Sequence, residues 1–506
     1  MKDVRITYGP PGCGKTTDLM NVIDKEIEDG TLPEKIAFVS FTRKAAQEAI
    51  DRAMDRFNLN SGQLDNFRTL HSLAYYHLGL NNNDVMTRAH WREVGELLGV
   101  KFSGYANVEE GLPTGSDKGD LMLQILSLAR NRRITLKQQF YEVAPDNIDW
   151  REMALFQGTL VAYKRDKCLW DFTDMLERFH YECEPINADV AIIDEAQDLS
   201  KLQWEMARHA FRNSKRIRIS GDDEQAIFTW AGADSSIMLS FKGTERVLSQ
   251  SYRIPKAVHH LAAEISNRIK YKKEKIWAPR EEVGAVYRTN DINQIDYSEG
   301  TWLLLARNTY FLNRFKEAID QVGVPYTFRR ENSIEPSHVA AIYSWQTLLK
   351  GDHITAEQAQ AVFDNIKIGQ GLARGSRKTE FDRPVYSLEE LREMGLYVKA
   401  VPWFDALTMI PVAQREYYRA CLRSGEDLRR PPRIHIDTVH GVKGGEADNV
   451  VLMTDMSYRT YKQYTDSNSA ARQDEEHKVF YVAITRAKNT LYIVNPFTKF
   501  WYDGLY

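Results

Sequence analysis

One loop constrains this chain more than any other feature: GPPGCGKTT at residues 9–17. It follows a strand-like run, VRITY, and opens a segment of helical spacing, TTDLMNVIDKEIE. A glycine-rich loop between a strand and a helix N-terminus offers backbone N–H groups to an anion, and the helix dipole adds to the attraction. The spacing GxxxxGKT therefore predicts a nucleoside triphosphate site. Gly9, Gly12 and Gly14 let the backbone approach phosphate oxygens, and Lys15 reaches the outer phosphates. The Thr16 hydroxyl is placed to ligate Mg²⁺, and Thr17 completes the cradle.

Residues 189–193, DVAII, read as a buried strand ending on Asp194 and Glu195. Side chains alternate along a strand, so the first acid is expected to face a metal and the second a water. Hydrolytic phosphoryl transfer needs that division of labour. An Asp-Glu pair after an apolar run is by itself a solvated strand end. Downstream of a phosphate loop it becomes a candidate metal ligand and general base.

Further segments follow in a fixed order. FVSFTRKAAQEA (38–49), RTLHSLAYYHLG (68–79), GDDEQAIFTWAGA (221–233), QSYRIPKAV (250–258), IDTVHGVKGGEAD (436–448) and EEHKVFYVAITRAKNTLYIV (475–494) stand beside the phosphate loop and the acid pair. In that order they resemble the motifs of superfamily 1 helicases of the UvrD/Rep/PcrA group. The resemblance implies an α/β fold of two RecA-like motor domains, parallel sheets flanked by helices, each interrupted by a mostly helical insertion. It also implies ATP as the nucleotide, with Lys15 and Thr16 on phosphate and metal, Asp194 on Mg²⁺ and Glu195 as general base. Gln225 would sense the γ-phosphate. Arg253 and Arg486 would reach across from the second motor domain as arginine fingers, Tyr252 would stack on the base, and Glu446 would bind the ribose. Phe41, Thr42, His71, Phe228, Trp230, Arg307, Thr438 and His440 would contact single-stranded DNA. Base stacking suits a moving protein because every base offers a π-face.

The chain departs from that group in several places. Only eight residues precede Gly9, so the glutamine segment that reads adenine is expected to be missing. Ala231 stands where the group has an arginine, Arg43 where it has an asparagine, and Gly445 and Ala447 where it has Leu and Phe beside the ribose acid.

By the same resemblance, residues 1–79 and 184–250 are expected to form the first motor domain and 80–183 a helical insertion. Residues 251–330 and 431–506 would form the second motor domain, with TWLLLAR and NVVLMTD as strands, and 331–430 a reduced accessory insertion. The compact form resembles helicase-like proteins of bacteriophages.

Composition narrows the partners. With net charge −3, 43% hydrophobic and 27% charged residues, the chain carries no global basic field, so any nucleic-acid surface must be local. The basic runs ARNRRITLK (129–137), RIKYKKEK (268–275) and LRRPPR (428–433) are candidates, though a charge run is usually a solvated face. Four scattered cysteines, Cys13, Cys168, Cys183 and Cys421, have neither metal-ligand spacing nor the pairing of a disulfide framework. No apolar stretch reaches membrane-spanning length, so an intracellular protein with no membrane partner is expected.

The expected activity is that of a DNA-dependent ATPase and helicase on single strands and single-strand/duplex junctions. It is expected to act in replication, repair or recombination as a monomer, with any protein loading partner unspecified. Polarity 3′ to 5′ is implied by the 436–448 and 475–494 segments. Two alternatives stand beside it: a translocase that displaces proteins without unwinding, and a nucleotide-gated binding module. A full hydrolytic set argues against the second.

Overall fold

The apolar runs that precede each predicted catalytic segment form the inner strands of parallel sheets. The structure is a computed structural model and describes residues 2–41, 43–57, 59–103, 106–107, 112–113, 117–466 and 469–506. Its contacts divide the chain into two compact units, Met1–Glu282 with Asp466–Val482, and Val283–Thr465 with Ala483–Tyr506.

The first unit contains a six-stranded sheet of β1 (Asp3–Tyr8), β2 (Ile36–Ser40), β3 (Phe67–Thr69), β4 (Val190–Ile193), β5 (Arg216–Gly221) and β6 (Thr244–Val247). Their order is β3-β2-β4-β5-β1-β6, and every pairing is parallel. β2 and β4 are buried along their whole length, as strands covered on both faces must be. Alternation sorts their residues. Ile36, Phe38, Val190 and Ile192 join a core with Leu19, Met20 and Ile23 of the helix Lys15–Glu28. Ala37, Val39, Ala191 and Ile193 join the opposite core, with Trp204 and Met206 of the helix Lys201–Ala210. Because all six strands are parallel, the loops after β1, β4 and β5 leave from one edge of the sheet, where α/β sheets bind ligands.

Residues 80–183 are mainly helical, as the apolar spacing predicts, and Trp91, Met122, Phe156 and Leu160 form a core of their own. A buried ion cluster ties this segment together. Arg130 reaches Asp171 at 3.1 Å, Asp174 at 2.6 Å and Glu177 at 2.7 Å, while Lys164 meets Asp171 and Asp174 at 2.6 Å.

In the second unit, seven strands are β7 (Ala285–Thr289), β8 (Trp302–Ala306), β9 (Tyr326–Phe328), β10 (Glu331–Asn332), β11 (Ile434–Thr438), β12 (Ala447–Met453) and β13 (Ala487–Val494). The order is β10-β9-β11-β8-β12-β13-β7, parallel except for β10. The two strands read from TWLLLAR and NVVLMTD are the neighbours β8 and β12. This architecture of two helix-flanked parallel sheets matches the expected fold class.

Residues 251–282, which motif order places at the head of the second motor domain, make their contacts in the first unit. Ser251 N donates to Ala278 O at 2.8 Å, and Ser251 Oγ donates to Pro11 O at 2.7 Å. Within the second unit, residues 334–428 enclose a separate core around Trp345, Phe363, Tyr386 and Tyr418. Trp345 is fully buried and its indole N–H donates to Val401 O at 2.8 Å. Trp345→Ala is therefore expected to cost about 3–5 kcal/mol locally. Hydrogen exchange should then show lost protection across 334–428 with the first-unit sheet unchanged.

Candidate nucleotide and nucleic-acid site

The phosphate loop begins where β1 ends. Gly9 N donates to Gly221 O at 3.0 Å, which continues the β1/β5 ladder by one bond and fixes the loop against the end of β5. Gly12 and Gly14 have φ of 71° and 78°, a left-handed conformation that glycine adopts without penalty. Gly14 is the N-cap of the helix that starts at Lys15. The loop curls around its own lysine, whose Nζ donates to Gly9 O at 2.9 Å. A Cβ on Gly12 would lie 2.3 Å from Arg253 Cβ, so the backbone of the loop touches the candidate arginine directly. Tyr252 N also donates to Gly12 O at 2.9 Å, leaving the Tyr252 ring exposed beside the loop. Phosphate loop, Tyr252 and Arg253 are thus brought together within one unit. Arg253 stands beside the loop instead of arriving from the other compact unit.

Desolvation alone would lower the Lys15 pKa, but the carboxylates of Glu195, Asp222 and Asp194, with the Cys13 thiol, outweigh it and hold the ammonium above its ordinary value. Asp194 follows β4 and its N–H donates to Val39 O at 2.9 Å. Burial, reinforced by the neighbouring Glu195 charge, pushes its carboxyl up to about 7 against the opposing pull of Lys15. An acid pair with one member buried and the other half-buried, short of positive charge, suits a divalent cation. Among the described residues no group of three His, Cys, Asp or Glu forms a metal cage.

The acids do not diverge by strand alternation, as the sequence suggested. β4 ends at Ile193, and Glu195 turns into the left-handed region with φ 50°. A non-glycine residue held there stores strain that its surroundings must support. Support comes from Gln197, whose Nε2 donates to Glu195 Oε2 at 2.5 Å. Its Oε1 accepts from Asp222 N at 2.9 Å. Gln225 Nε2 donates to Asp222 Oδ2 at 2.7 Å. The three carboxylates that precede Gln225 converge on one fully buried cation: Lys275 Nζ lies 2.9 Å from Asp222, 2.5 Å from Asp223 and 3.0 Å from Glu224.

Of the DNA candidates in this unit, Phe41 and Phe228 are 8% and 5% exposed and stack on each other with centroids 5.2 Å apart. They belong to the core beneath the site. Trp230 is 37% exposed, 6.3 Å from the Phe228 ring, and presents a face to solvent. His71 packs edge-on against Phe172 at 5.9 Å. Thr42 lies outside the described residues, and of the Arg43 side chain nothing is described. In the second unit, Arg307 follows β8 and Thr438 ends β11, and these strands pair in register at Ala306 and Thr438. His440 lies two residues further, in a turn closed by Gly441 N donating to Thr438 Oγ1 at 3.1 Å. Arg486 is 2% exposed and donates to Gly445 O at 3.2 Å, while Glu446 pairs with Lys488 at 2.7 Å. The Gly445 backbone is thereby anchored and Ala447 is buried at the start of β12, so packing beside Glu446 is retained despite the two small residues.

Two sequence models match, one of the UvrD/REP helicase N-terminal domain over residues 2–245 and one of the UvrD-like helicase C-terminal domain over 418–496. Together they span more than half of the chain. The chain belongs to the UvrD/Rep helicase family. Among its relatives are a probable DNA helicase II homolog of Rickettsia conorii, 23% identical over 622 aligned positions covering 98% of this chain and 91% of the relative, and the putative ATP-dependent DNA helicase YjcD of Bacillus subtilis, 23% identical over 98% of this chain and 78% of the relative. The ATP-dependent DNA helicase PcrA of Bacillus subtilis is 25% identical over 55% of this chain and 40% of its own length. The protein is thus an ATP-dependent DNA helicase of the UvrD type that uses nucleotide and binds DNA.

Several residues of this helicase site escaped the sequence reading. Gln197 was hidden inside the acid motif, where only its position two residues after a strained acid could have signalled it. Lys275 belongs to a basic run that reads as surface, yet its side chain is fully buried, while Arg268 and Lys270 of the same run are exposed and Lys273 pairs with Glu245 at 2.5 Å. In the other two runs Arg130 and Arg133 pair with acids of the helical insertion and helix Lys201–Ala210, and Arg429 and Arg433 with Asp427 and Glu426. Among the described residues no helix is long and apolar enough to cross a membrane.

Removing the one lysine that neutralises three buried acids is expected to be severe: Lys275→Met should cost about 3–5 kcal/mol of stability in the first unit, measured by urea unfolding. Gly12→Ala should weaken nucleotide binding by at least roughly 10-fold, because a Cβ has no room beside Arg253 and the left-handed φ is strained. Equilibrium titration with a fluorescent ATP analogue reads this directly.

Proposed function

We propose that this helicase couples ATP hydrolysis to movement along single-stranded DNA, 3′ to 5′, opening duplex at single-strand/duplex junctions in DNA replication, repair or recombination. The observation that carries the coupling is one short segment. Asp222 and Gln225, tied to the catalytic acid through Gln197, are followed within a few residues by Phe228 and the exposed Trp230. A change at the γ-phosphate and a change at a stacked base therefore act on the same stretch of backbone.

In the hydrolytic step Glu195 accepts a proton from the attacking water while Gln225 holds that water and the γ-phosphate in line. Lys15 and Arg253 stabilise charge on the transferring phosphoryl group, and Arg486 carries the same assignment by its motif. Thr16 and Asp194 would hold Mg²⁺, which supplies charge neutralisation on the phosphate oxygens. Tyr252 offers its exposed ring to the base and Glu446 its carboxylate to the ribose. Trp230 is the stacking platform for DNA, supported from beneath by Phe228 and Phe41, with Thr42, His71, Arg307, Thr438 and His440 as further strand contacts. We place the enzyme inside the cell and read it as a monomer.

The motor and its track are tested by steady-state ATP hydrolysis with single-stranded DNA, duplex DNA or poly-U RNA. Stimulation by single-stranded DNA alone is expected, and indifference to every nucleic acid would overturn the proposal in favour of a nucleotide-gated module. Unwinding of duplexes bearing a 3′ or a 5′ tail decides polarity, and translocation without unwinding of either would identify a protein-displacing translocase. Glu195→Gln should lower turnover by roughly 10²–10⁴-fold with ATP still bound. Trp230→Ala should weaken single-strand binding by about 1–3 kcal/mol and leave basal hydrolysis unchanged.

A further inference from the structure

We infer that Gln197 is a positioning residue for the general base, a clamp that sets where Glu195 points according to where the Asp222 loop sits. The inference rests on the reading of Glu195 as the base, and it starts from hydrogen-bond logic. Gln197 is 0% exposed, so both ends of its amide must be satisfied within the protein. The Asp222 N–H can only donate, which assigns the nearer amide atom as Oε1 and turns Nε2 toward the acids. Nε2 then donates to Glu195 Oε2 at 2.5 Å and to Asp198 Oδ2 at 3.2 Å. Three partners on one amide leave it a single orientation.

Glu195 needs such a partner. Its left-handed backbone projects the side chain off the line of β4, so the strand does not determine the carboxylate's direction. At the other end of the clamp the approach is close: a Cβ at Gly221 would fall 2.5 Å from Gln197 Oε1, so a side chain there would have to displace the amide. Gly221 O is also the acceptor for Gly9 N of the phosphate loop. One buried amide thus joins the base to the backbone that carries the phosphate loop on one side and the Gln225 to Trp230 segment on the other. A displacement of Asp222, whether driven by phosphate or by DNA, moves the hydrogen bond that aims Glu195.

Gln197→Met keeps the length of the side chain and removes all three hydrogen bonds. Gln197→Glu keeps an acceptor for Asp222 N–H and removes the donor to Glu195, so it serves even if the first variant folds poorly. Hydrolysis is measured at saturating single-stranded DNA over a range of ATP, together with the thermal midpoint and a parallel Glu195→Gln control. The expected result is a fall in kcat of roughly 10- to 100-fold in either folded variant, with the KM for ATP within about twofold of wild type. Wild-type kcat in a folded variant, or kcat and KM worsening together in step with the thermal midpoint, would overturn the inference and leave Gln197 structural. Appreciable turnover by Glu195→Gln would instead remove Glu195 from its role as base, whatever the Gln197 variants do.

Discussion

The parallel pairing of β1 with β5 is the contact on which the site depends. It runs in register from Asp3 with Arg216 to Tyr8 with Gly221, and Gly9 N extends it by one hydrogen bond into the phosphate loop. The phosphate loop and the loop that carries Asp222 and Gln225 therefore begin from adjacent residues. β4 lies on the far side of β5 and delivers Asp194 and Glu195 to the same edge. A doubly wound sheet places strand ends with a precision that loops alone cannot reach, and here it uses that precision three times within three neighbouring strands.

Charge is the second constraint, because the edge gathers more acids than a buried region tolerates by itself. Asp194, Glu195, Asp222, Asp223 and Glu224 face Lys15 and Lys275, with the buried Lys478 also acting on Asp223 and Glu224. Lys275 meets three of the acids, and burial, which would lower its pKa, is overcome by them so that it stays firmly charged. Asp222 shows the result: although burial would raise its pKa, Lys275 and Lys15 keep it ionised below its ordinary value. Asp194 is left with less compensation, and burial beside Glu195 holds its carboxyl above the ordinary carboxylate range. The shortfall falls at the place where metal and phosphate chemistry would bring charge of its own, so the resting imbalance and the proposed reaction are complementary.

What could be read from sequence and what could not follow the same physics. Backbone-dominated features were legible: GxxxxGKT has one conformational solution, and Gly12 and Gly14 take the left-handed angles it requires. The apolar runs of β4, β8 and β12 were legible because strands buried on both faces leave no polar alternation. Side-chain geometry was less so. Strand alternation gave the wrong reason for the divergence of Asp194 and Glu195, since it cannot anticipate a left-handed turn at a glutamate. Phe41 and Phe228 looked like equal members of a stacking surface with Trp230, yet two of the three are buried. A motif records which residues matter near a ligand without separating those that touch it from those that hold the ones that touch.

The same limit explains why charge patterning misled at Lys275. A lysine-rich run such as RIKYKKEK reads as a solvated or DNA-facing surface because sequence shows the cations and not the acids that fold against them. Here those acids come from far along the chain, Asp222 to Glu224 for Lys275 and Glu245 for Lys273. Net charge is −3, and among the described residues Arg130, Arg429 and Arg433 of the basic runs pair with acids of their own neighbourhood, so that part of the positive charge is matched within the chain. Under the proposed function, stacking at the exposed Trp230 adds to whatever ionic contacts the remaining cations make, and every base offers a face for it.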